Sequence, residues 1–165
     1  MRLKCTKKLR SRMEKMPGHV EQDGPIVLGD WVCNIVPIMG GEIIVLLNER
    51  TLLTVVLPIS ALQDLSGSLC QELPALLELL GAPSGFIEAV RGEFKLVSIA
   101  PTDSGRLLSL LREVSYYCQD RVDFKPPTRI VNARDLELAL AGWLHGPELF
   151  QMPIDLLREM MDTFE

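Results

Sequence analysis

Two apolar runs in the middle of the chain constrain its fold more than any other feature. Residues 42–48 read EIIVLLN and residues 51–57 read TLLTVVL, with only Glu49 and Arg50 between them. Two such runs joined by a short polar segment are typical of a β-hairpin. Because their apolar residues do not alternate strictly with polar ones, we expect both faces of the hairpin to be at least partly covered by other elements.

The rest of the chain supplies the elements that could cover this hairpin. Residues 2–5, 31–36 and 94–99 have strand-like patterns, and apolar residues at helical spacing recur from residue 60 onward. The sequence therefore predicts an α+β fold. In it, a small, largely antiparallel sheet, a meander or hairpin around residues 31–57, is covered by helices, and the C-terminal portion is helical.

Length favours one domain that spans residues 1–165, because a chain of this size can bury a full core. The pair Pro126-Pro127 marks the one plausible internal boundary. A helical segment at 126–165 is near the lower size limit for independent stability. We therefore expect this segment to pack on the body of the same domain.

Positive charge is concentrated at the start of the chain. The first sixteen residues contain seven of the seventeen Lys and Arg residues and one acid, Glu14, whereas the remainder has ten bases and twenty-one acids. Thr6 is a suitable N-cap for a helix from Lys7 to about Met16. This basic helix is the one sequence feature that indicates a partner, with Lys7, Lys8, Arg10 and Arg12 as candidate contacts. A solvated helix face is the alternative interpretation.

Composition limits the chemistry of the chain. The four cysteines, Cys5, Cys33, Cys70 and Cys118, form no CxxC pair, and only two histidines are present. This spacing predicts buried thiols in a reducing compartment and no metal site. No glycine-rich phosphate loop occurs, so no cofactor is expected. No apolar segment approaches the ~20 residues that cross a bilayer and no secretory signal is evident, so a cytoplasmic protein without membrane contact is predicted.

Three stretches give the chain a family resemblance. They are CTKKL at residues 5–9, Trp31 in a strand, and LLNERTLLTVV at residues 46–56. Over about the first 120 residues the chain resembles an uncharacterised bacterial family with an M-x-x-x-C-T-K-K-L start and an N-x-x-T hairpin. The resemblance implies a shared fold and a bacterial cytoplasmic or mobile-element setting. It implies no activity and no catalytic residue.

Further candidate binding residues lie outside the N-terminal helix. Asn48, Arg50 and Thr51 form the polar tip of the hairpin and could meet a ligand, although such residues more often make the turn. Arg106 lies where the resembling family has an Asn-Arg-Ser-type helix start, to which this chain is a looser match. No residue is assigned a catalytic role, and the sequence does not decide whether the protein is an enzyme.

The preferred function is a non-enzymatic interaction or regulatory module that uses the basic N-terminal helix. A protein partner or self-association, as in a homodimer, is favoured over nucleic acid, because no aromatic residues interleave with the basic ones. The alternative is a small enzyme or toxin-like nuclease that acts on a phosphate-containing substrate. Its candidate residues are Cys5, Lys7, Lys8, Asn48, Arg50 and Arg106.

Overall fold

The fold consists of a five-stranded sheet with helices on both faces. A computed structural model of the chain describes residues 1–13, 26–94, 97–102, 104–123, 132–143 and 151–164. The strands are β1 (Arg2–Cys5), β2 (Trp31–Ile38), β3 (Gly41–Asn48), β4 (Thr54–Pro58) and β5 (Ser98–Pro101). The helices are α1 (Lys7–Arg10), α2 (Leu65–Leu79), α3 (Ser84–Glu93), α4 (Gly105–Asp123), α5 (Ala133–Ala141) and α6 (Pro153–Asp162), and a 3₁₀ turn spans Ile59–Gln63.

The sheet combines a meander with one inserted strand. Its strand order is β4-β3-β2-β1-β5, and β2, β3 and β4 are consecutive antiparallel neighbours. Strand β1 lies between β2 and β5 and is parallel to both. The sheet is mostly antiparallel, and the predicted α+β class with a meander around residues 31–57 is confirmed.

Strand β1 is much shorter than the strand beside it. It pairs with β2 only from Leu3 opposite Trp31 to Cys5 opposite Cys33, whereas β2 continues to Ile38. The last main-chain bond of this pairing runs from the Thr6 N–H to the Cys33 carbonyl, at 3.0 Å. Beyond Cys33, β2 is therefore paired with β3 on one side and has no paired strand on the other, among the residues that the structure describes.

Two apolar cores explain the unbroken apolar runs. Trp31, Cys33 and Ile35 belong to a first core with side chains of α2 and α3, and Val32 and Val36 belong to a second core with side chains of α4 and α5. Because each face of the sheet meets a core, the consecutive residues of β3 from Ile44 to Asn48 are all buried. The expectation that both faces are covered is confirmed, and its cause is this two-sided packing.

The turn between β3 and β4 is longer than the sequence indicated. Strand β4 begins at Thr54 and not at residue 51, because Asn48 holds residues 50–52 in a turn. Leu52 adopts a positive φ of 57° in this turn, and its N–H donates to the Asn48 carbonyl at 3.1 Å. Burial of the Leu52 side chain in the second core compensates for that conformation, which non-glycine residues rarely adopt.

The prolines end fewer elements than expected. Helix α2 runs through Pro74, and Pro101 belongs to β5, although proline often ends a helix or a strand. Strand β5 is at the edge of the described sheet. Its Ser98 N–H donates to the Met1 carbonyl, on the side of β1, so the main-chain nitrogens of alternate residues, including Pro101, face away from β1. Proline is tolerated there because no ladder hydrogen bond needs its missing N–H. Asn132 caps α5 through its side chain, and Pro153 occupies the first turn of α6, where a missing N–H costs no helical hydrogen bond.

A buried carboxylate fastens α5 to the opposite edge of the sheet. Glu137, only 1% exposed, accepts hydrogen bonds at 2.8 Å from the Val56 N–H and from Arg134, which also pairs with Glu72 of α2. Burial raises the pKa of Glu137 to about 7, while the Val56 and Arg134 bonds act in the opposite direction. The group is therefore expected to titrate near neutral pH.

The stability of the fold should fall as pH rises through this titration. Because the folded pKa of Glu137 lies above its ordinary value of 4.5, the folded state retains a proton that the unfolded chain has lost between pH 4.5 and about 7. Relative to Glu137→Gln, the wild-type free energy of unfolding should drop by roughly 3 kcal/mol between pH 4.5 and pH 8. Urea unfolding of both proteins across this range tests the expectation. A parallel pH dependence of the two would contradict it.

Candidate functional site

The hairpin-tip residues Asn48, Arg50 and Thr51 make contacts within the molecule. The Asn48 side chain is fully buried, and its Oδ1 accepts from the Arg50 N–H, the Thr51 N–H and the Thr51 hydroxyl at 2.9–3.1 Å. Its Nδ2 donates to the carbonyls of Leu28 and Asp30 at 3.0 and 3.3 Å. Asn48 thus connects the turn to the segment that precedes β2.

Arg50 and Glu93 hold the same segment from its two sides. Arg50 donates to the Val27 carbonyl at 2.5 Å, and the buried Glu93 carboxylate accepts from the N–H groups of Val27, Leu28 and Gly29 at 2.7, 2.8 and 3.2 Å. The geometry of Asn48, Arg50 and Thr51 supports the turn interpretation. A ligand contact for these residues stays a prediction.

Asn48→Ala should therefore lower the free energy of unfolding more than the removal of an exposed side-chain amide would. The change leaves buried N–H, hydroxyl and carbonyl groups without partners, which is expected to cost about 2–4 kcal/mol. Asn132→Ala is the matched control, because it removes the same amide from an exposed helix cap, at a cost of about 1 kcal/mol. Thermal or urea unfolding of both variants measures the difference, and equal losses would argue against the buried role of Asn48.

Most basic residues at the start of the chain are paired with acids of the body. Lys8 lies 3.3 Å from Glu42 of β3, and Arg12 also bonds to Glu42. These contacts, Arg12 first, lower the pKa of the Glu42 carboxyl. Lys7 is exposed without an ion pair among the described side chains, and Arg10 has a buried Nε with no hydrogen-bond partner there.

A second group of ion pairs involves strand β1. Lys4 lies 2.7 Å from Glu49 and 3.3 Å from Asp30, and Arg2 lies 3.3 Å from Asp30. Burial lowers the pKa of Lys4, but the hydrogen bonds to Glu49 and Asp30 outweigh this effect and raise it. Of the six basic residues that the structure describes near the start of the chain, four are therefore paired with acids of the same molecule.

The sequence-predicted candidates do not converge on one place. The hairpin tip lies at the amino end of β2, because Asn48 pairs with Trp31, whereas Lys7 and Lys8 follow the carboxyl end of β1. Arg106 is exposed in the first turn of α4, which follows the carboxyl end of the parallel strand β5. Lys7, Lys8 and Arg106 thus share the carboxyl edge of the parallel strands, and the hairpin tip does not.

A groove of about 340 Å³ opens between β2 and α4, beside the end of β1. One wall is formed by Thr6 and by Asn34 and Val36 of β2, and the Thr6 hydroxyl bonds to Asn34 Oδ1 at 2.8 Å. The groove exists because β1 ends opposite Cys33, so that no strand covers this flank of β2.

Helix α4 forms the other wall with one face. Leu108, Leu111, Ser115 and Gln119 follow at spacings of three and four residues, which place side chains on one helical face. Gln119 Nε2 donates to the Pro37 carbonyl at 2.9 Å and so ties the far end of the groove to β2. The groove is therefore held open between two fixed elements.

Arg112 and Tyr116 are the conspicuous side chains of the groove. They lie one helical turn apart on α4, and Tyr116 is 65% exposed although it is a large aromatic residue. Arg112 forms no ion pair with any side chain that the structure describes, and the lining of the groove contains no acidic residue. The groove thus combines one free cation, an aromatic ring, apolar walls and neutral hydrogen-bonding groups.

Cys5, the thiol among the enzyme candidates, lies beside Cys33 inside the sheet, whereas Cys70 on α2 is only partly buried. Cys5 and Cys33 are register partners on β1 and β2, and both are fully buried in the first core. Burial raises the pKa of the Cys33 thiol well above its ordinary value, so this thiol stays protonated and weakly nucleophilic. Within the described ranges, no group of three or more His, Cys, Asp or Glu residues is arranged to hold a metal ion.

The fold is α+β, and its groove is an open cleft whose lining contains one charged side chain, Arg112. The helices that the structure describes include none long and apolar enough to cross a membrane. The chain belongs to the family described as Domain of unknown function (DUF6933), whose model matches residues 2–156. This match confirms the resemblance to an uncharacterised family. Comparison with curated proteins and with solved structures finds no match.

Proposed function

We propose that this protein is a non-catalytic interaction module of the bacterial cytoplasm, and that it binds an acidic partner through the groove between β2 and α4. The observation that carries the proposal is Arg112, an exposed cation in a groove whose lining has no acid. A cation placed this way favours a negatively charged group at the groove mouth and disfavours a positively charged one.

The size and openness of the groove fit binding better than enclosed chemistry. Its volume of about 340 Å³ is near the lower end of small-ligand pockets. Catalysis generally requires a nucleophile or base within hydrogen-bond reach of a positioning group. The neutral Thr6, Asn34, Ser115 and Gln119 provide polar recognition without such a pair.

The basic N-terminal segment contributes fewer unpaired charges to the proposed contact than its sequence predicted. Lys8 and Arg12 are bonded to Glu42, so their charges are partly offset, whereas Lys7 follows Thr6 at the edge of the groove and is exposed. We assign to Lys7 long-range attraction of the acidic partner, an effect that salt screens. A second copy of the chain is one form that the partner could take, which would make the contact a homodimer interface.

The alternative function, an enzyme or nuclease acting on a phosphate-containing substrate, draws no support from the geometry. Cys5 is buried in the first core, and Asn48 and Arg50 brace the segment that precedes β2. Lys7, Lys8 and Arg106 share one edge of the sheet, but no described carboxylate pair or thiolate accompanies them there. The binding proposal is therefore the better supported of the two.

Arg112→Glu should remove the partner. We expect tagged wild-type protein, purified at ~0.15 M salt from the cells that produce it, to retain a protein that survives nuclease treatment. The variant should retain about tenfold less of it, because an attraction becomes a repulsion. Arg91→Glu is the control for net charge, since Arg91 makes only an exposed pair with Glu88 on α3.

Three results would count against the proposal. The Arg112→Glu protein would retain the same partner in the same amount, or the retained material would disappear with nuclease treatment, or the Arg91→Glu control would lose the partner equally. Lys7→Glu gives a second test, with a smaller loss that vanishes at high salt. It is cleaner than reversal of Lys8 or Arg12, because those changes would place two carboxylates side by side at Glu42.

A further inference from the structure

Asn34 is the polar member of an apolar stripe on β2. Val32 and Val36 pack in the second core with side chains of α4 and α5. Alternate residues of a strand share a face, so the Asn34 side chain also lies on the face toward α4. It is half-buried there and lines the groove. An amide between two buried valines costs free energy unless its polar atoms find partners.

Thr6 supplies a partner for the oxygen of this amide and none for its nitrogen. The Thr6 hydroxyl oxygen accepts from the Leu9 N–H at 3.4 Å as the cap of α1, and the hydroxyl donates to Asn34 Oδ1 at 2.8 Å. The NH₂ group of Asn34 donates to no residue that the structure describes. Because its nitrogen is not among the buried side-chain atoms without a partner, solvent reaches it. Asn34 thus keeps its N–H groups available to the groove.

Arg112 provides free donors on the facing wall. It is exposed and forms no ion pair with any side chain that the structure describes, and the lining of the groove contains no acid. Ser115 and Gln119, by contrast, already donate within the chain, to the carbonyls of Leu111 and Pro37 at 2.6 and 2.9 Å. Donors without a described partner on both walls, together with one positive charge, favour an acceptor that carries one negative charge.

We infer that the groove binds a small organic acid, a single carboxylate on an apolar body, and that this carboxylate accepts from Arg112 and from the Asn34 amide. The inference goes beyond the proposed function, because the ligand is a free molecule whose binding needs no protein partner. The two ligands share Arg112. The free acid is therefore expected to compete with the acidic partner for the groove.

The size of the groove favours a compact ligand. Its volume of about 340 Å³ is that of a small-ligand pocket. At its far end the Gln119 side chain crosses from α4 to the Pro37 carbonyl, so a long chain has no free path along β2 there. The half-buried Leu108 offers an apolar wall to the body of the acid, and Tyr116, 65% exposed, offers a ring at the mouth.

The charge of the groove favours a carboxylate over a phosphate. A phosphate ester carries about −1.5 to −2 charge at pH 7, and phosphate sites usually combine several N–H donors or several cations. The lining of the groove offers one cation and one free side-chain amide. A carboxylate carries one negative charge, and the planar fork of arginine matches its two oxygens. The second donor, Asn34, then adds direction to the attraction that Arg112 provides.

Titration of the purified ¹⁵N-labelled protein with phenylacetate, 3-phenylpropionate and hexanoate tests the inference. Each acid is compared with its uncharged amide, which has nearly the same shape. We expect at least one acid to bind with a dissociation constant of about 1 mM or below. Its binding should shift the NMR signals of the Asn34 side-chain amide and of the Arg112 guanidinium. The matching amide should bind about tenfold more weakly, because it lacks the charge that pairs with Arg112.

Asn34→Asp separates ligand recognition from a structural role. Aspartate keeps an oxygen that accepts from Thr6, but it replaces the donor NH₂ by a negative charge that repels the acid. We expect the binding of the acid to fall more than about tenfold and the preference for the acid over its amide to disappear. Arg112→Gln, a change at an exposed position, should weaken binding of the acid about tenfold. Arg91→Gln, the charge control on α3, should leave it unchanged.

Four results would overturn the inference. The acids and their amides would bind equally, or none of the three acids would bind below ~10 mM, or Arg91→Gln would weaken binding as much as Arg112→Gln. In the fourth, inorganic phosphate would bind more tightly than every acid. A purely structural role of Asn34 predicts that Asn34→Asp lowers the melting temperature and leaves the affinity of the folded protein for the acid unchanged, which would remove Asn34 from the site.

The outcomes separate this inference from the proposed function. If no acid binds while retention of the cellular partner still depends on Arg112, the inference is wrong and the proposed function stands. If an acid binds through Arg112 but a saturating amount of it leaves the retained partner unchanged, the partner does not use Arg112. In that case the proposed function fails and the inference stands.

Discussion

The parallel pairing of β1 between β2 and β5 is the constraint on which the rest of the structure depends. Four residues at the start of the chain join a meander formed by residues 31–58 to a strand formed by residues 98–101. Since this strand is central, its side chains Leu3 and Cys5 are fully buried in the first core. Its outward side chains, Arg2 and Lys4, draw Asp30 and Glu49 to it. Because the same strand is short, the flank of β2 beyond Cys33 has no paired strand among the described residues.

The distribution of charge follows from this placement. The basic start of the chain approaches the acids of the body because β1 lies inside the sheet, and four basic residues are neutralised there. Exposed pairs of this kind contribute little stability individually. The main effect of these ion pairs is electrostatic: they reduce the positive surface charge that the sequence predicted for the start of the chain. Lys7 follows Thr6 in the chain, Arg112 lines the same groove as Thr6, and both cations are exposed. They form a much smaller positive surface than a fully exposed basic helix would.

More of the fold than of the candidate site could be predicted from the sequence. The runs at 42–48 and 51–57 encode a hairpin locally, and their lack of alternation correctly indicated two covered faces. The groove depends instead on the register of β1 against β2, a non-local pairing that leaves no local pattern. Arg112 and Tyr116 had no distinguishing signal, because a polar flank beside the Leu107 and Leu111 stripe is common to surface helices. Asn48 was recognised as a hairpin-tip residue, but its bonds to Leu28 and Asp30 join distant segments and could not be foreseen.

The exposed flanks of the sheet are protected by prolines and by side-chain acceptors and donors. Natural sheets commonly block unpaired strand edges, because an open edge recruits other chains. On β4 the Val56 N–H is occupied by Glu137, and Pro58 has no N–H to offer. On β5, Pro101 serves the same purpose. On the flank of β2 beyond Cys33, Ile35 is buried, Pro37 has no N–H to offer, and the Pro37 carbonyl accepts from Gln119. Each of these flanks therefore offers few free main-chain groups to another strand, which limits edge-to-edge pairing of the kind that natural sheets avoid.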